Sequence, residues 1–482
     1  MEYEAVIGIE THAQLLTASK MFCSCSAEYT GADPNSLVCP VCLGMPGALP
    51  VINRRAVECV IMTGLALHCE IAEFSKFDRK NYNYPDLVKG YQISQYDLPI
   101  CRNGWIDIQV HDKTKRIGIQ RVHLEEDTGK LIHAEGQSLI DYNRSGVPLM
   151  EIVTAPDFAA VEEVQEYARK LRAILRYLRV NSGNMEEGAL RIEANVSIRP
   201  VGAISMGNLV ELKNLNSFRA VWRSVEYEIE RQVQVARTGG SVRRETRGWD
   251  DVKEVTFPQR SKELADDYRY FPEPDLPALE IARDWVDEIL ASMPELPEAR
   301  RQRFIVQYNL SGYDAGLLTD ERAVADYFEQ AASAGESKGV SAKSIANWVT
   351  GELFHLLNVA DIGIEMTKVS PTQLVDLLAL VGNNAISTAS GRHVLEVMFE
   401  TGKPALDIVA EEDLARIADP NALSTVVEQV LRENPSAVAQ YRQGKEAVLR
   451  FLVGQVMRAT KGKADPDRTT QTLKEHLSRT DG

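Results

Sequence analysis

Five stretches in the first 215 residues read as β-strands, four of them by alternating apolar and polar positions with a period of two. Residues 5–15 set Val6, Gly8, Glu10 and His12 on one side and Ile7, Ile9 and Ala13 on the other. Residues 116–122 set Ile117, Ile119 and Arg121 against Gly118, Gln120 and Val122, and residues 149–154 carry a lone Glu151 in an apolar run. Residues 190–198 alternate Leu190, Ile192, Ala194, Val196 and Ile198 with Arg191, Glu193, Asn195 and Ser197; residues 210–215 repeat this with Glu211 and Lys213. Strands with one apolar and one charged face predict an antiparallel sheet whose polar face is a working surface. A hairpin is expected over 104–122, turning around residues 112–114.

Helical spacing appears at 54–68, at 161–178 (Val164, Tyr167, Ala168, Leu171, Ile174, Leu175, Leu178) and at 219–237, which Gly239-Gly240 ends. Residues 75–95 are polar and rich in Lys, Asn, Tyr and Gln, which suits a loop lining a ligand path or plain loop filler. Residues 266–277 are extended and punctuated by proline. Beyond Pro294 and Pro297 the pattern turns helical at 298–308, 320–334, 342–357 and 371–381. Ser370-Pro371 pairs an N-cap with proline at the first helical position, a device repeated at Asp419-Pro420, Asn434-Pro435 and Asp465-Pro466. The expected fold is α+β: an antiparallel-sheet cradle with flanking helices over 1–294, an all-helical domain over 295–405, and a small helical tail over 406–482.

With 44% hydrophobic and 26% charged residues the composition is that of an ordinary globular protein. No apolar run approaches the ~18–20 residues of a membrane span. The first strand pattern lies close behind Met1, so no targeting segment is expected and cytosol is the default compartment. A net charge of −15 argues against polyanion binding by the surface at large. The tail departs from this: residues 442–479 hold nine basic and four acidic residues, an excess of +5. Lys445, Arg458, Lys461 and Lys463 are its candidates for phosphate contact, and helix-end basic residues without that role fit the pattern equally.

The chemistry concentrates in residues 122–130, V-H-L-E-E-D-T-G-K. Four ionisable groups at a strand end are costly to bury unpaired, and carboxylates suit a hard cation such as Mg²⁺; a solvated acidic turn fits the same residues. Glu10 and His12 point the same way on their strand, which favours an acid-lined pocket on the sheet. Cys23-x-Cys25 and Cys39-Pro-Val-Cys42 have the spacing of a structural zinc knuckle with all four positions filled by sulfur. Cys59, Cys69 and Cys101 have no such pattern.

Eight motifs in order then resemble the B-subunit family of the bacterial-type aspartyl/glutamyl-tRNA amidotransferases: V-I-G-I-E-T-H (6–12), D-R-K-N-Y-N-Y-P-D (78–86), K-G-Y-Q-I-S-Q (89–95), H-L-E-E-D-T-G-K (123–130), M-E-E-G (185–188), E-L-K-N-L-N-S (211–217), D-Y-R-Y-F-P-E-P-D-L-P (267–277) and F-L-V-G-Q-V-M (451–457). Asn83 and Val88 depart from the family pattern. The resemblance implies the ATP- and Mg²⁺-dependent component of a ligase that acts on misacylated Glu-tRNA or Asp-tRNA. Its implied partners are an amidase (glutaminase) A-subunit, which supplies ammonia, and a small C-subunit. It carries metal roles onto Glu10, His12, Glu125, Glu126 and Glu151, with Glu193 as a further cofactor-binding residue. Lys80 and Glu126 match positions on the ammonia path, where their pairing would either gate the path or be a static ion pair. A non-catalytic tRNA-binding scaffold is the competing expectation. A carboxylate–metal nuclease would explain the acids but neither the cysteines nor the basic tail.

Overall fold

The computed structural model describes residues 2–478 apart from 112, 135, 262–267, 418 and 461. It divides into two compact units, residues 1–297 and 298–482.

The first unit begins with β1 (Tyr3–Gln14) and α1 (Arg54–Ala66), followed by short strands β2 (Glu70–Ile71), β3 (Phe74–Ser75), β4 (Asp78–Asn81) and β5 (Tyr91–Ser94). The long hairpin β6 (Cys101–Val110) and β7 (Lys113–Glu126) comes next, then the small hairpin β8 (Lys130–Ala134) and β9 (Gln137–Asp141). After these come β10 (Pro148–Thr154), α2 (Val161–Tyr177), β11 (Leu190–Pro200), β12 (Val210–Lys213), α3 (Phe218–Arg237), β13 (Glu245–Asp250) and β14 (Val255–Ser261). The short strands β15 (Phe271–Pro272) and β16 (Leu279–Glu280) and the helix α4 (Arg283–Ser292) complete it.

Nine strands form one sheet in the order β14-β13-β12-β11-β1-β10-β7-β6-β2. Every pairing in it is antiparallel except β12 with β13. One face is apolar: Ile7, Ile9 and Ala13 of β1, Met150 and Ile152 of β10 and Ile192, Ala194 and Val196 of β11 pack with α1, α2 and α3. The α2 stripe of Val164, Tyr167, Ala168, Leu171, Ile174 and Leu175 is buried there, each large side chain worth about 1.5–3 kcal/mol of transfer free energy. Gly239, at φ +77°, lies just past the C-terminal end of α3.

β7 departs from the expected alternation. Val153 pairs with Arg121 but Thr154 pairs with Ile119, so Gln120 is an extra residue on β7. Beyond it the core positions change from Ile117 and Ile119 to Val122 and Leu124, all fully buried. Arg121 therefore does not share a face with Ile117; with His123 and Glu125 it takes the opposite, polar face. The polar stretch 75–95 likewise forms strands, with β4 and β5 completing a three-stranded sheet with β15. Phe77 and Ile93 are buried, and the polar side chains are satisfied internally: Gln95 Nε2 donates to Ser75 Oγ at 2.6 Å, and Tyr96 N donates to Asp78 Oδ2 at 3.1 Å.

The second unit is helical. Helices stand at Pro297–Tyr308, Arg322–Lys338 and Pro371–Gly382, and at Ala342–Trp348 continuing through a π turn (Val349–Leu353) into Phe354–Ala360. Gly312–Thr319, Thr388–Thr401 and Ala405–Glu411 are further helices that the apolar spacing does not single out. Ser370 forms a full capping box with Gln373. One apolar cluster runs from Phe304 to Val409 and a second from Leu423 to Leu477. No helix among the described residues is long and apolar enough to cross a membrane.

Candidate active site

The helix-free face of the sheet carries the chemistry. Glu10 and His12 project there from β1, Glu151 from β10, His123 and Glu125 from β7, Arg191, Glu193 and Asn195 from β11, and Glu211 and Lys213 from β12. Strand register fixes their neighbours: His12 lies opposite Glu151 on one side and Arg191 on the other, Glu151 opposite His123, and Glu10 opposite Glu193.

Two clusters result. In the first, His12, Glu125 and Glu151 bring one ligand atom each within 4.8 Å of one another. His12 Nε2 is 3.4 Å from Glu125 Oε1 and 3.7 Å from Glu151 Oε2, and His123 Nε2 is 3.2 Å from Glu151 Oε2. Burial opposes ionisation of Glu151, but His123, His12 and Lys80 outweigh it and hold the carboxyl well below its usual range. In the second, Glu10, Glu193 and Glu211 converge in the same way. Lys213 Nζ stands 2.8 Å from Glu193 and 3.2 Å from Glu211, while Asn195 Nδ2 donates to Glu10 Oε1 at 2.8 Å. Burial pushes the Glu10 carboxyl up, and Glu151 and Glu193 add like-charge repulsion. Hard oxygen donors with one imidazole in each other's reach are a donor set that suits Mg²⁺.

The residues expected as one metal set are thus distributed over three places. His12, Glu125 and Glu151 are together, Glu10 sits beside them with Glu193, and Glu126 is elsewhere. Alternation along β7 turns Glu126 to the side opposite Glu125. There its Oε1 accepts from Ile93 N at 2.9 Å and pairs with Lys89, and its carbonyl accepts from Gln92 Nε2 at 2.7 Å. The expected Lys80–Glu126 pair is accordingly replaced by Lys89–Glu126. Lys80, on β4, lies 5.1 Å from the Tyr268 ring centroid; burial works against its charge, but Glu125 and Glu151 outweigh that and keep the ammonium protonated. His123 and Asp127, two of the four ionisable groups expected at this strand end, join the network as partners of other side chains. Asp127 is buried and binds Arg191 Nη2 at 2.9 Å and Gln14 Nε2 at 2.7 Å, which anchors the arginine beside His12. Its signal was its place in the acidic run.

Glu126 and Lys89 line a cavity of about 190 Å³ together with the cysteine loop, including Lys20, Cys23, Cys42 and Gly44. The four sulfurs of Cys23, Cys25, Cys39 and Cys42 lie within 4.8 Å of one another. A zinc tetrahedron with bonds near 2.3 Å has sulfur–sulfur edges of about 3.8 Å, and Cys39 Sγ to Cys42 Sγ is 3.8 Å. Cys39 N donates to Cys42 Sγ at 3.1 Å, and the fully buried Lys20 ammonium is 3.8 Å from the same sulfur. A hydrogen bond from Cys23 is the main reason the Cys42 thiol is pulled down to about 5, with Cys39 N and Lys20 contributing against burial. The sulfurs therefore fit a structural zinc ion. Among the other cysteines, Cys59 and Cys101 are buried and Cys69 half-buried.

In the tail, Lys445 and Arg458 are exposed, whereas Lys463 is tied to Asp413. Lys461 lies outside the described residues. Arg450 and Lys474 line a cleft of about 350 Å³ with Tyr441 and Glu446.

Comparison with known proteins is consistent along the chain. Residues 5–287 match the model of the GatB/GatE catalytic domain, and residues 326–477 match that of the GatB domain. The B-subunit of an aspartyl/glutamyl-tRNA(Asn/Gln) amidotransferase from Caldanaerobacter subterraneus subsp. tengcongensis is 53% identical over 481 residues, covering 99% of this chain and 100% of the relative. Proteins of the same name from Dehalococcoides mccartyi and Roseiflexus castenholzii are 53% and 51% identical, again over 99% of this chain.

Proposed function

This chain belongs to the GatB/GatE family, and on that premise we propose that it is the ligase subunit that activates and amidates glutamate or aspartate misloaded on tRNA. It works in a heterotrimer with an amidase subunit that releases ammonia from glutamine and a small third subunit, in the cytosol. The observation that carries the reading is the pair of acid clusters on one sheet face, where Glu10 meets like-charge repulsion from Glu151 and Glu193 that a shared cation would relieve.

A carboxylate resists attack by ammonia, and ATP with Mg²⁺ supplies the phosphoryl group that turns it into an acyl phosphate with a good leaving group. His12, Glu125 and Glu151 hold one cation, and Glu10, Glu193 and Glu211 are placed to hold another. Asp127 fixes Arg191, and Lys80 adds positive charge facing Glu125 and Glu151, so both can balance charge that develops on the reacting groups. Glu126 stands behind β7, and its partner Lys89 makes that pair the proposed gate on the ammonia path, in place of Lys80–Glu126. The cysteine loop, braced by zinc, forms the opposite wall of the same cavity. Exposed Lys445 and Arg458 in the tail contact tRNA phosphates.

The test is transamidation by the assembled complex with Glu-tRNA and Asp-tRNA. Glu125→Gln and Glu10→Gln each remove a cation ligand at near-constant shape and are expected to lower product formation at least 100-fold while tRNA affinity stays within twofold. Full activity in either variant would overturn the metal role. A non-catalytic tRNA scaffold requires both variants to be silent.

A further inference from the structure

At the rim of the acid clusters, four tyrosines converge from three separate segments. Tyr96 and Tyr270 stack nearly parallel, with centroids 4.2 Å apart at 12°, Tyr268 meets Tyr270 edge-on at 6.1 Å, and Tyr82 meets Tyr268 at 5.9 Å. None belongs to the hydrophobic core of this unit or packs against it. Tyr96 is 58% exposed, so one face of its ring lies against Tyr270 and the rest is open to solvent. The cluster therefore stands outside the core, with an aromatic face turned to solvent.

Its surroundings narrow the occupant. Lys80 lies against Tyr268, and the Tyr270 phenol is pushed up to about 12 mainly by burial, with Glu125 and Glu151 close enough to add to the shift. The wall therefore borders the cluster that is suited to cations and, through them, to phosphates. A flat π-surface beside an ammonium and a site for cation-bridged phosphate matches the two halves of a nucleotide: the base stacks while the phosphates reach the cations. Stacking does not require base-specific hydrogen bonds, and an exposed tyrosine face accommodates a purine.

We propose that Tyr96 and Tyr270, backed by Tyr268 and Tyr82, form the stacking platform for an adenine ring entering the cradle. The proposal rests on the functional reading above and adds where the base sits. Two sources carry this ring to the site, ATP and the 3′-terminal adenosine of tRNA, and the test separates them.

The assembled complex is prepared with Tyr96→Ala, Tyr96→Phe and Tyr270→Leu, and folding is checked by thermal melting. ATP affinity is measured with Mg²⁺ present, and affinity is compared for tRNA with and without its terminal adenosine. If ATP supplies the ring, Tyr96→Ala weakens ATP about tenfold and leaves both tRNAs unchanged. If tRNA supplies it, the same variant weakens the full-length tRNA about tenfold and abolishes its advantage over the shortened one. In either case Tyr96→Phe, which keeps the ring, stays within twofold of the parent. Unchanged affinity for both ligands in folded Tyr96→Ala and Tyr270→Leu overturns the platform. That result leaves the cation role intact, because the latter is read from the activity of Glu125→Gln.

Discussion

Asp127 shows how much of the site rests on single charge pairs. Burial works against its ionisation, but Arg191 and Arg144 outweigh that and hold the carboxyl below its ordinary 3.8. A carboxyl lowered in the folded state stabilises above its unfolded value and loses that contribution as pH falls through the folded one. Denaturant unfolding between pH 6 and pH 2.5 should therefore show a fall in stability below about pH 4 that is smaller in Asp127→Asn. At pH 7 that variant takes the carboxylate from Arg191, while Arg144 keeps its bonds to the Thr128 and Gly129 carbonyls, and should cost about 2 kcal/mol. Equal stability at pH 7 would show that Arg191 finds solvent instead. At this scale the sequence was informative about residue type: the run 123–127 and the four cysteines declared themselves by composition and spacing. It was not informative about partners. Glu126 pairs with Lys89 and not Lys80 because β4 and β5 place Lys80 and Gln92 opposite each other and leave Lys89 to reach behind β7.

The strand β7 shows what one residue does to an element. Gln120, the extra residue, reverses the phase of the strand and so delivers Arg121, His123 and Glu125 to the open face while Val122 and Leu124 enter the core. Removing Gln120 leaves Ile119 facing the core, Arg121 the open face and Val122 the core, so pairing with β10 becomes regular and the mismatch passes to β6, where Asn103 loses its place opposite Gln120. The deletion is therefore expected to keep cooperative unfolding, followed by circular dichroism and denaturant titration, with stability lowered by about 1–2 kcal/mol. Loss of cooperative unfolding would show that β7 needs the extra residue to hold its phase. Strand existence was legible from alternation in β1, β11 and β12 and from an apolar run in β10, as were α1, α2 and α3 from their stripes. The bulge was not, because the step from Ile117 and Ile119 to Val122 and Leu124 breaks the two-residue period without saying which strand face each run takes. Residues 75–95 concealed β4 and β5 for a related reason: Asp78, Gln92, Ser94 and Gln95 are buried with hydrogen-bonded partners, so their polarity imitates a loop.

Across the molecule a net charge of −15 coexists with a basic tail, which makes tRNA affinity a local electrostatic matter. Removing one phosphate contact should reduce the slope of log affinity against log salt by about 0.9 for a duplex and about 0.7 for a single strand. Arg458→Ala should show that reduction in a salt titration of tRNA binding, while Lys463→Ala should show less, because Asp413 already holds its ammonium. Identical slopes for Arg458→Ala and the parent would remove that residue from the interface. By itself the sequence determined the α+β class, the sheet-then-helix order, the apolar faces of β1, β11 and β12 and the identity of the reactive side chains, because these follow from local periodicity and from residue chemistry. Only the tertiary structure decided which of them meet. Cross-strand register put His12 between Glu151 and Arg191, a bulge turned Glu125 toward them, and folding of residues 75–95 and 268–270 around that face set Lys80 and four tyrosines at its edge. Such contacts join positions tens to more than a hundred residues apart, and their geometry is fixed by sheet register, which no local pattern encodes.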